Sequence, residues 1–389
     1  MALMKLIFKN TLRHKLRTAL TVLGIAVAIS AFGLLRTVIA AWYVGVEASA
    51  PNRLITRHSV SLLFLLPVSY RDGILATPGV AKVSFSSWFG GTYIDERHSQ
   101  FPQFAVDAAS WFDIYPEFLI PAGEKEEFLH ERNAAVVGKD LAKRFGWKVG
   151  DVIRMKGTFY PGDWDFVIRG VYQGKEKTTD ETQFFFHWEY LDERLRQMAP
   201  WSAGRVGWFV VKVNDPKAAA VVSQEIDRRF KNSLAETLTE TEKAFVLGFV
   251  SMSEAILVAL RIIALVIIGV ILAVLSNTMA MTARERLSEY AVLRTLGFRP
   301  VHLTALIAGE SLLLASAGGV LGIGLTFPAS KAFGAAMTQT MGAFFPVEVA
   351  WSTVAASGLM AVAVGVAASA FPSWRAGTLR IAEGLRRIG

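Results

Sequence analysis

Cysteine is absent from the 389 residues, which excludes disulfides, thiol catalysis and cysteine-ligated metal. Histidine is scarce, and the six present are scattered singly, without HExxH or paired spacing, so zinc chemistry has no ligand set. His187, within the aromatic run Phe184–Trp188, reads as a packed or surface residue. There is no GxxxxGK(S/T) phosphate loop. The fragment Gly174-Lys175 lacks both the preceding glycines and the following Ser/Thr-led helix, so ATP is not bound by that route. A GxSxG nucleophile elbow is also missing, and no local catalytic signature points to an enzyme. Charge is sparse too: 19% of residues are charged against 52% hydrophobic, and the mean hydropathy is +0.38. That balance is more apolar than a soluble chain of this size carries.

Four windows, Thr18–Val44, Ala255–Thr282, Leu303–Ala329 and Trp351–Phe371, are long and apolar enough to cross a hydrocarbon core of roughly 30 Å as helices. The formal charge of +8 would suit nucleic acid if it formed one patch, but the basic residues flank the apolar runs instead. Lys5, Lys9, Arg13, Lys15 and Arg17 precede the first run. Arg284, Arg286, Arg294 and Arg299 separate the second and third, and Arg375, Arg380, Arg386 and Arg387 follow the last. The positive-inside rule then places both termini and the middle connection in the cytoplasm, and nucleic acid is not an expected partner. The first run also fits a signal peptide, but it exceeds the usual 7–15-residue core, so a retained anchor is expected.

The expected fold class is an α-helical membrane protein with four transmembrane helices and a large mixed α+β domain inserted between the first and second spans. Residues 1–17 form an amphipathic cytoplasmic segment, 18–44 a span and 45–233 the inserted domain on the far side of the membrane. Residues 234–254 form a stalk helix, 255–282 a span, 283–302 a cytoplasmic helix and 303–329 a span. Residues 330–350 form an outer loop, 351–371 a span and 372–389 a cytoplasmic tail. Within the domain, Ala134–Val137, Val152–Lys156 and Asp165–Tyr172 alternate as strands, Lys139–Phe145 reads as a short helix, and Gly150-Asp151 as a turn. Trp208–Val213, Asp215-Pro216 and Lys217–Phe230 read as strand, turn and helix, and Tyr70–Thr77 as a helix opening the domain. Because no proline interrupts Leu234 to Thr282, one helix of roughly 70 Å is expected there, with a kink near Gly248 as the alternative.

Ionisable residues within spans are functional candidates because charge is costly in hydrocarbon. Arg36 and Arg261 lie toward the outer ends of their spans, where snorkelling accounts for them. Glu310 sits about 10 Å deep and is expected to face a neighbouring helix or be protonated, with a structural bond favoured over a proton relay. Small residues, Gly318, Gly319 and Gly322 foremost, suit close helix packing within or between chains.

The segment RERLSEYAVLRTLGFRP, Arg284–Pro300, lies between two apolar runs. As a helix it groups Leu287, Tyr290, Ala291 and Leu293 against Arg286, Glu289 and Arg294, with Gly297 as its C-terminal cap and Pro300 barring continuation. Taken alone, such a helix could rest on lipid headgroups.

Glu285 to Gly297 resembles the cytoplasmic coupling helix of the four-span permeases of the FtsX/MacB superfamily of ABC transporters, roughly ERTREIGVLRALGA. It departs at Ser288, where Arg is usual, and at Ala291, where Gly is usual. Asn10 to Gly24 resembles that family's N-x-x-R-x-K-x-R-T-x-L-T-x-L-G entry to its first span. Pro372 to Ala376 with Ile381 to Arg386 is similar to its P-A-x-x-A…P-x-E-A-L-R tail, with Ile381 in place of proline. Asn133–Val171 looks like part of a MacB-like periplasmic core. The resemblance implies a non-catalytic permease subunit in the bacterial inner membrane that binds no cofactor itself, with ATP and Mg on a separate cytoplasmic ABC ATPase dimer. It also implies a second permease copy or paralogue, with a periplasmic adaptor and outer-membrane channel, or a lipoprotein carrier, as further partners. Arg284, Glu285, Arg286, Glu289, Tyr290, Leu293, Arg294, Gly297 and Phe298 would then form the ATPase interface. Arg286, Glu289 and Arg294 would make polar contacts, while Tyr290 and Leu293 fill an apolar notch. The substrate class would be a hydrophobic drug, peptide, lipid or lipoprotein. The alternative is an FtsX-like transmitter that activates a cell-wall enzyme without transport, although its soluble domain is usually smaller.

Overall fold

A computed structural model describes residues 2–11, 13–95, 101–176, 178–341 and 347–377. Arg380 and the tail motif Ile381–Arg386, with Arg387, lie outside the described residues. The chain forms two compact units. Among the described residues, one contains 42–252 and 335–341; the other contains those up to 41, 253–334 and those from 347 onward.

The first two helices are α1 (Ala2–Thr11) and α2 (Lys15–Ala48). The inserted domain then contains strands β1 (Arg53–His58), β2 (Leu66–Pro67), β3 (Val80–Trp88), β4 (Gly91–Thr92), β5 (Gln103–Val106), β6 (Phe118–Leu119) and β7 (Ala134–Gly138). These are followed by β8 (Val152–Gly157), β9 (Gly162–Gly174), β10 (Phe184–His187), β11 (Arg205–Val206), β12 (Trp208–Val213) and β13 (Thr237–Thr241). Its helices are α3 (Tyr70–Leu75), α4 (Trp111–Ile114), α5 (Ala122–His130), α6 (Lys139–Phe145), α7 (Trp188–Met198), α8 (Ala219–Arg229) and α9 (Glu242–Met252).

Among the described residues, eleven strands join in the order β13-β1-β12-β3-β5-β10-β7-β9-β8-β4, with β6 added beside β9. The β5–β10 and β7–β9 pairs are parallel, which long crossover connections allow. Helices cover both faces. On one side Ile74, Leu141, Leu191 and Ile226 of α3, α6, α7 and α8 meet the sheet; on the other, Phe112 of α4 and Phe128 of α5 do so. The Phe184–Phe186 run follows from this double cover, since alternate side chains enter opposite layers and all three are fully buried. His187 is buried at the end of the run, its Nε2 2.6 Å from the Phe128 carbonyl oxygen. Burial pushes its pKa below the usual histidine value.

The expected uninterrupted helix from Leu234 does not form. Thr237–Thr241 is instead an edge strand paired antiparallel with β1. Its threonines alternate inward, and Asp227 on α8 accepts hydrogen bonds from the Thr237 hydroxyl and from both the amide and hydroxyl of Thr239. Threonine suits a pleated, half-buried surface better than a helix, and tertiary pairing decides the outcome. Helix α9 starts only after Thr241, whose Oγ1 accepts the Ala244 amide as an N-cap. The next interruption falls at Ser253 (φ −99°, ψ 9°), not at Gly248, which stays helical within α9.

The remaining helices are α10 (Glu254–Glu285), α11 (Leu287–Thr295), α12 (Pro300–Met341) and α13 (Trp351–Gly377). Four helices, α2, α10, α12 and α13, are long and apolar enough to cross a membrane. The third is longer than expected at both ends: Pro300 opens α12 as its first residue, the helix position that proline tolerates, and the helix passes Ala329 into the segment expected as loop. Ile25, Ile29, Leu275, Leu306 and Val364 are among the residues of one buried cluster in this unit. Val270, Val274, Val320 and Leu359 point outward and are exposed, a pattern suited to lipid and not to water.

The glycines explain the closeness of these helices. A Cβ on Gly318 would lie 2.5 Å from Ile25 Cβ, one on Gly322 2.7 Å from the Ala26 carbonyl oxygen, and one on Gly319 2.7 Å from Ala361 Cβ. The small faces therefore serve contacts of α12 with α2 and α13 inside this chain. Ser311 adds a 2.7 Å hydrogen bond to the Gly365 carbonyl.

Candidate functional site

Helix α10 is interrupted at Arg286 (φ −105°, ψ 14°), and α11 follows as a separate short helix. Its C-terminus closes as a Schellman turn: Gly297 has φ +93°, its amide donates to the Arg294 carbonyl, and the Phe298 amide donates to that of Leu293. Only glycine adopts that conformation without strain.

Three ion pairs hold this corner. Arg17 grips Glu285 through two parallel hydrogen bonds of 2.7 and 2.9 Å, the bidentate geometry that makes guanidinium–carboxylate pairs strong and directional. Arg13 reaches Glu289 at 2.6 Å, with both side chains about half exposed; such a pair contributes about 0–1 kcal/mol. The third pair is inside. Arg286, 4% exposed, meets Glu310, 7% exposed, at 3.1 Å, and its other terminal nitrogen donates to the Asn10 carbonyl at 3.0 Å. A cavity of about 20 Å³ beside them is lined by Asn10, His14, Arg17, Thr282, Arg286 and Glu310, among others. That is room for a single water.

The expected interface residues separate accordingly. Arg284, Glu285 and Glu289 are exposed, Leu293, Arg294 and Phe298 are half-buried, and Gly297 is exposed in the turn. Arg286 and Tyr290 differ from the others in being buried within this chain. Amphipathic periodicity placed Tyr290 on the apolar face, and that face packs inward against Leu303, Leu306 and Ile307 in the same cluster. Burial, followed by the charge of Glu310, pushes the Tyr290 phenol up to about 12. Glu310 does face neighbouring elements, through its bond to Arg286. Arg36 and Arg261 are exposed on their helices and join no cluster with it. Arg13, Arg17 and the Asn10 carbonyl were not expected at this site. Their signal lay in matched spacing, since Arg13 and Arg17, like Glu285 and Glu289, stand four residues apart.

A second polar cluster lies where the chain passes into and out of the inserted domain. Arg53 on β1 is buried and bonds Glu242, the first residue of α9, at 2.8 Å and Glu117 at 2.6 Å. Its guanidinium lies 4.3 Å over the Tyr115 ring. The Glu242 carboxylate also accepts the Ala50 amide at 2.9 Å. The segment following α2 and the start of α9 are thus tied to one buried arginine.

A family profile for the MacB-like periplasmic core domain matches residues 18–229, more than half of the chain, and one for the FtsX-like permease C-terminal region matches residues 261–381. The chain is an ABC transporter permease of the FtsX/MacB superfamily. An uncharacterized ABC transporter permease of Methanocaldococcus jannaschii is 24% identical over 407 residues, spanning 97% of this permease and 96% of that one. The periplasmic region of MacB from Actinobacillus actinomycetemcomitans is 10% identical, with a TM-score of 0.39, covering 52% of this chain and 95% of that structure. The extracellular domain of the noncanonic ABC-type transporter YknZ from Gram-positive bacteria is 12% identical, with a TM-score of 0.36, covering 49% and 100%. Membership of this permease family implies an ATPase partner and association with a membrane. Among the described residues there is no group of three or more His, Cys, Asp or Glu side chains able to hold a metal ion.

Proposed function

We propose that this permease is the membrane subunit of an ATP-driven exporter or extraction system, in which α11 docks on a cytoplasmic ABC ATPase and its displacement reaches a periplasmic domain that handles the substrate. The observation that carries this reading is the mounting of α11. A short charged helix that merely lay on lipid would need no buried ion pair, yet Arg286 at its start is bonded to α12 through Glu310 and to the end of α1 through Asn10. A push on α11 is therefore passed to α12 and α1 at once. The Arg53 cluster supports the same reading at the domain, because it ties α9 to the sheet. ATP and Mg are assigned to the partner. The substrate class is a hydrophobic drug, peptide, lipid or lipoprotein.

The test is the ATPase rate of the partner subunit with the permease in nanodiscs, with and without a lipoprotein or amphiphilic peptide. The expected result is a rate that rises with the permease, changes with substrate, and loses its rise in Leu296→Asp at unchanged thermal stability. A rate indifferent to the permease overturns the docking role. Stimulation without release or movement of any substrate would favour a signal transmitter that activates a cell-wall enzyme.

A further inference from the structure

The mounting of α11 leaves only part of its surface for a partner, and the chemistry of that part differs from what its sequence suggests. Tyr290 and Ala291 are buried and Arg286 is held inside. The acids at this corner are engaged by the chain itself, Glu285 at the end of α10 by Arg17 and Glu289 on α11 by Arg13. What remains outward on α11 without an ion pair inside the chain is the C-terminal half. Val292 and Leu296, one turn apart and therefore on one face, are 45% and 70% exposed. Arg294 and Arg299 flank them, and neither has a carboxylate partner among the described residues, whereas Arg13, Arg17 and Arg286 each have one.

We propose that the ATPase-docking surface is this patch, Val292 and Leu296 rimmed by Arg294 and Arg299, and that it fits a groove on the ATPase with an apolar floor and a carboxylate rim. The inference rests on the docking role proposed above and adds which face docks and with what charge. An apolar anchor ringed by charge is the general form of a specific interface. The sign follows from the intrachain pairs, because Arg13 and Arg17 neutralise the acids and leave the arginines to set the field. Complementary charge at a rim speeds association and makes it sensitive to salt.

The test measures binding of the purified ABC ATPase subunit to the full chain in phosphatidylcholine nanodiscs, at low and high salt. Two double variants are compared, Glu285→Gln with Glu289→Gln and Arg294→Glu with Arg299→Glu, each checked for unchanged melting. A single Leu296→Asp variant serves as a further probe of the patch. The expected result is wild-type binding that weakens with salt, near-wild-type binding by the glutamine pair, and a loss of about tenfold or more for the reversed arginines and for Leu296→Asp. Loss of binding in the glutamine pair overturns the proposal, because the acids would then contact the partner. Unchanged binding in the reversed arginines overturns it too and assigns those arginines to lipid headgroups. If the wild-type chain fails to bind the ATPase at any salt concentration, the docking role itself falls, an outcome distinct from a wrong choice of face.

Discussion

Replacing Arg53 by methionine should loosen the point where the chain enters and leaves the inserted domain. The arginine is 4% exposed and lies between Glu117 and Glu242, so methionine preserves much of the stem's volume but leaves two carboxylates without their cation. Breaking a buried ion pair from one side costs about 3–5 kcal/mol. Two features place this case at the lower end. The Glu117 side chain is 25% exposed and can recover water, and Glu242 keeps the Ala50 amide while sitting in the first turn of α9, where the helix dipole favours a carboxylate by about 0.3–1 kcal/mol. A loss of about 3 kcal/mol corresponds to a fall of about 6–12 °C in the melting midpoint for a domain of this size. Near-ultraviolet circular dichroism of the full chain in nanodiscs measures that midpoint, and hydrogen exchange at β1 and β13 locates the loosening. Adding Glu242→Gln should restore part of the loss, with a coupling of about 1–3 kcal/mol. A midpoint shift under about 2 °C for Arg53→Met, or purely additive behaviour of the pair, would refute the reasoning.

Three further outcomes are expected. Burial holds the His187 pKa below its ordinary value, so the folded state disfavours the charged ring. Its contribution is fully present above the unfolded value of about 6.5 and is lost as pH falls through and below it. Thermal melts between pH 7 and 5 should show a decline that His187→Gln flattens, and identical slopes would count against it. In α12, Gly322→Ala places a Cβ 2.7 Å from a backbone oxygen, whereas Gly324→Ala enters open space. The first should destabilise the membrane unit by about 1–3 kcal/mol and the second should be neutral or slightly stabilising, as read by thermal scanning in nanodiscs; equal effects would contradict the α2–α12 contact. Glu310→Leu leaves Arg286 buried without its carboxylate and should cost about 3–5 kcal/mol, much of which Arg286→Leu in the same chain restores. A double variant as unstable as the single would show that the pair is not the source of the loss.

Much of this permease was legible locally. Apolar runs of span length, the basic residues beside them, strands such as Ala134–Gly138 and Trp208–Val213, and the Gly297 cap all follow from composition and short-range periodicity, because helices, strands and turns are set by neighbouring residues. The motifs of the N-terminal segment and of α11 were readable one by one, but not as partners. What the sequence could not decide was the direction each face turned. Periodicity marked Tyr290 as apolar-face and Arg286 as polar-face, yet both are inside, since a buried arginine is tolerable only where another element supplies a carboxylate, and Glu310 comes from the next helix. Thr237–Thr241 became a strand because β1 and Asp227 were there to receive it. The sequence by itself determined the spans, the inserted domain and the charged helix between two apolar ones. Only the tertiary structure decided which charges are paired within the chain, because electrostatic pairing depends on distance in space, and the partners in Arg13–Glu289 and Arg17–Glu285 lie more than 250 positions apart.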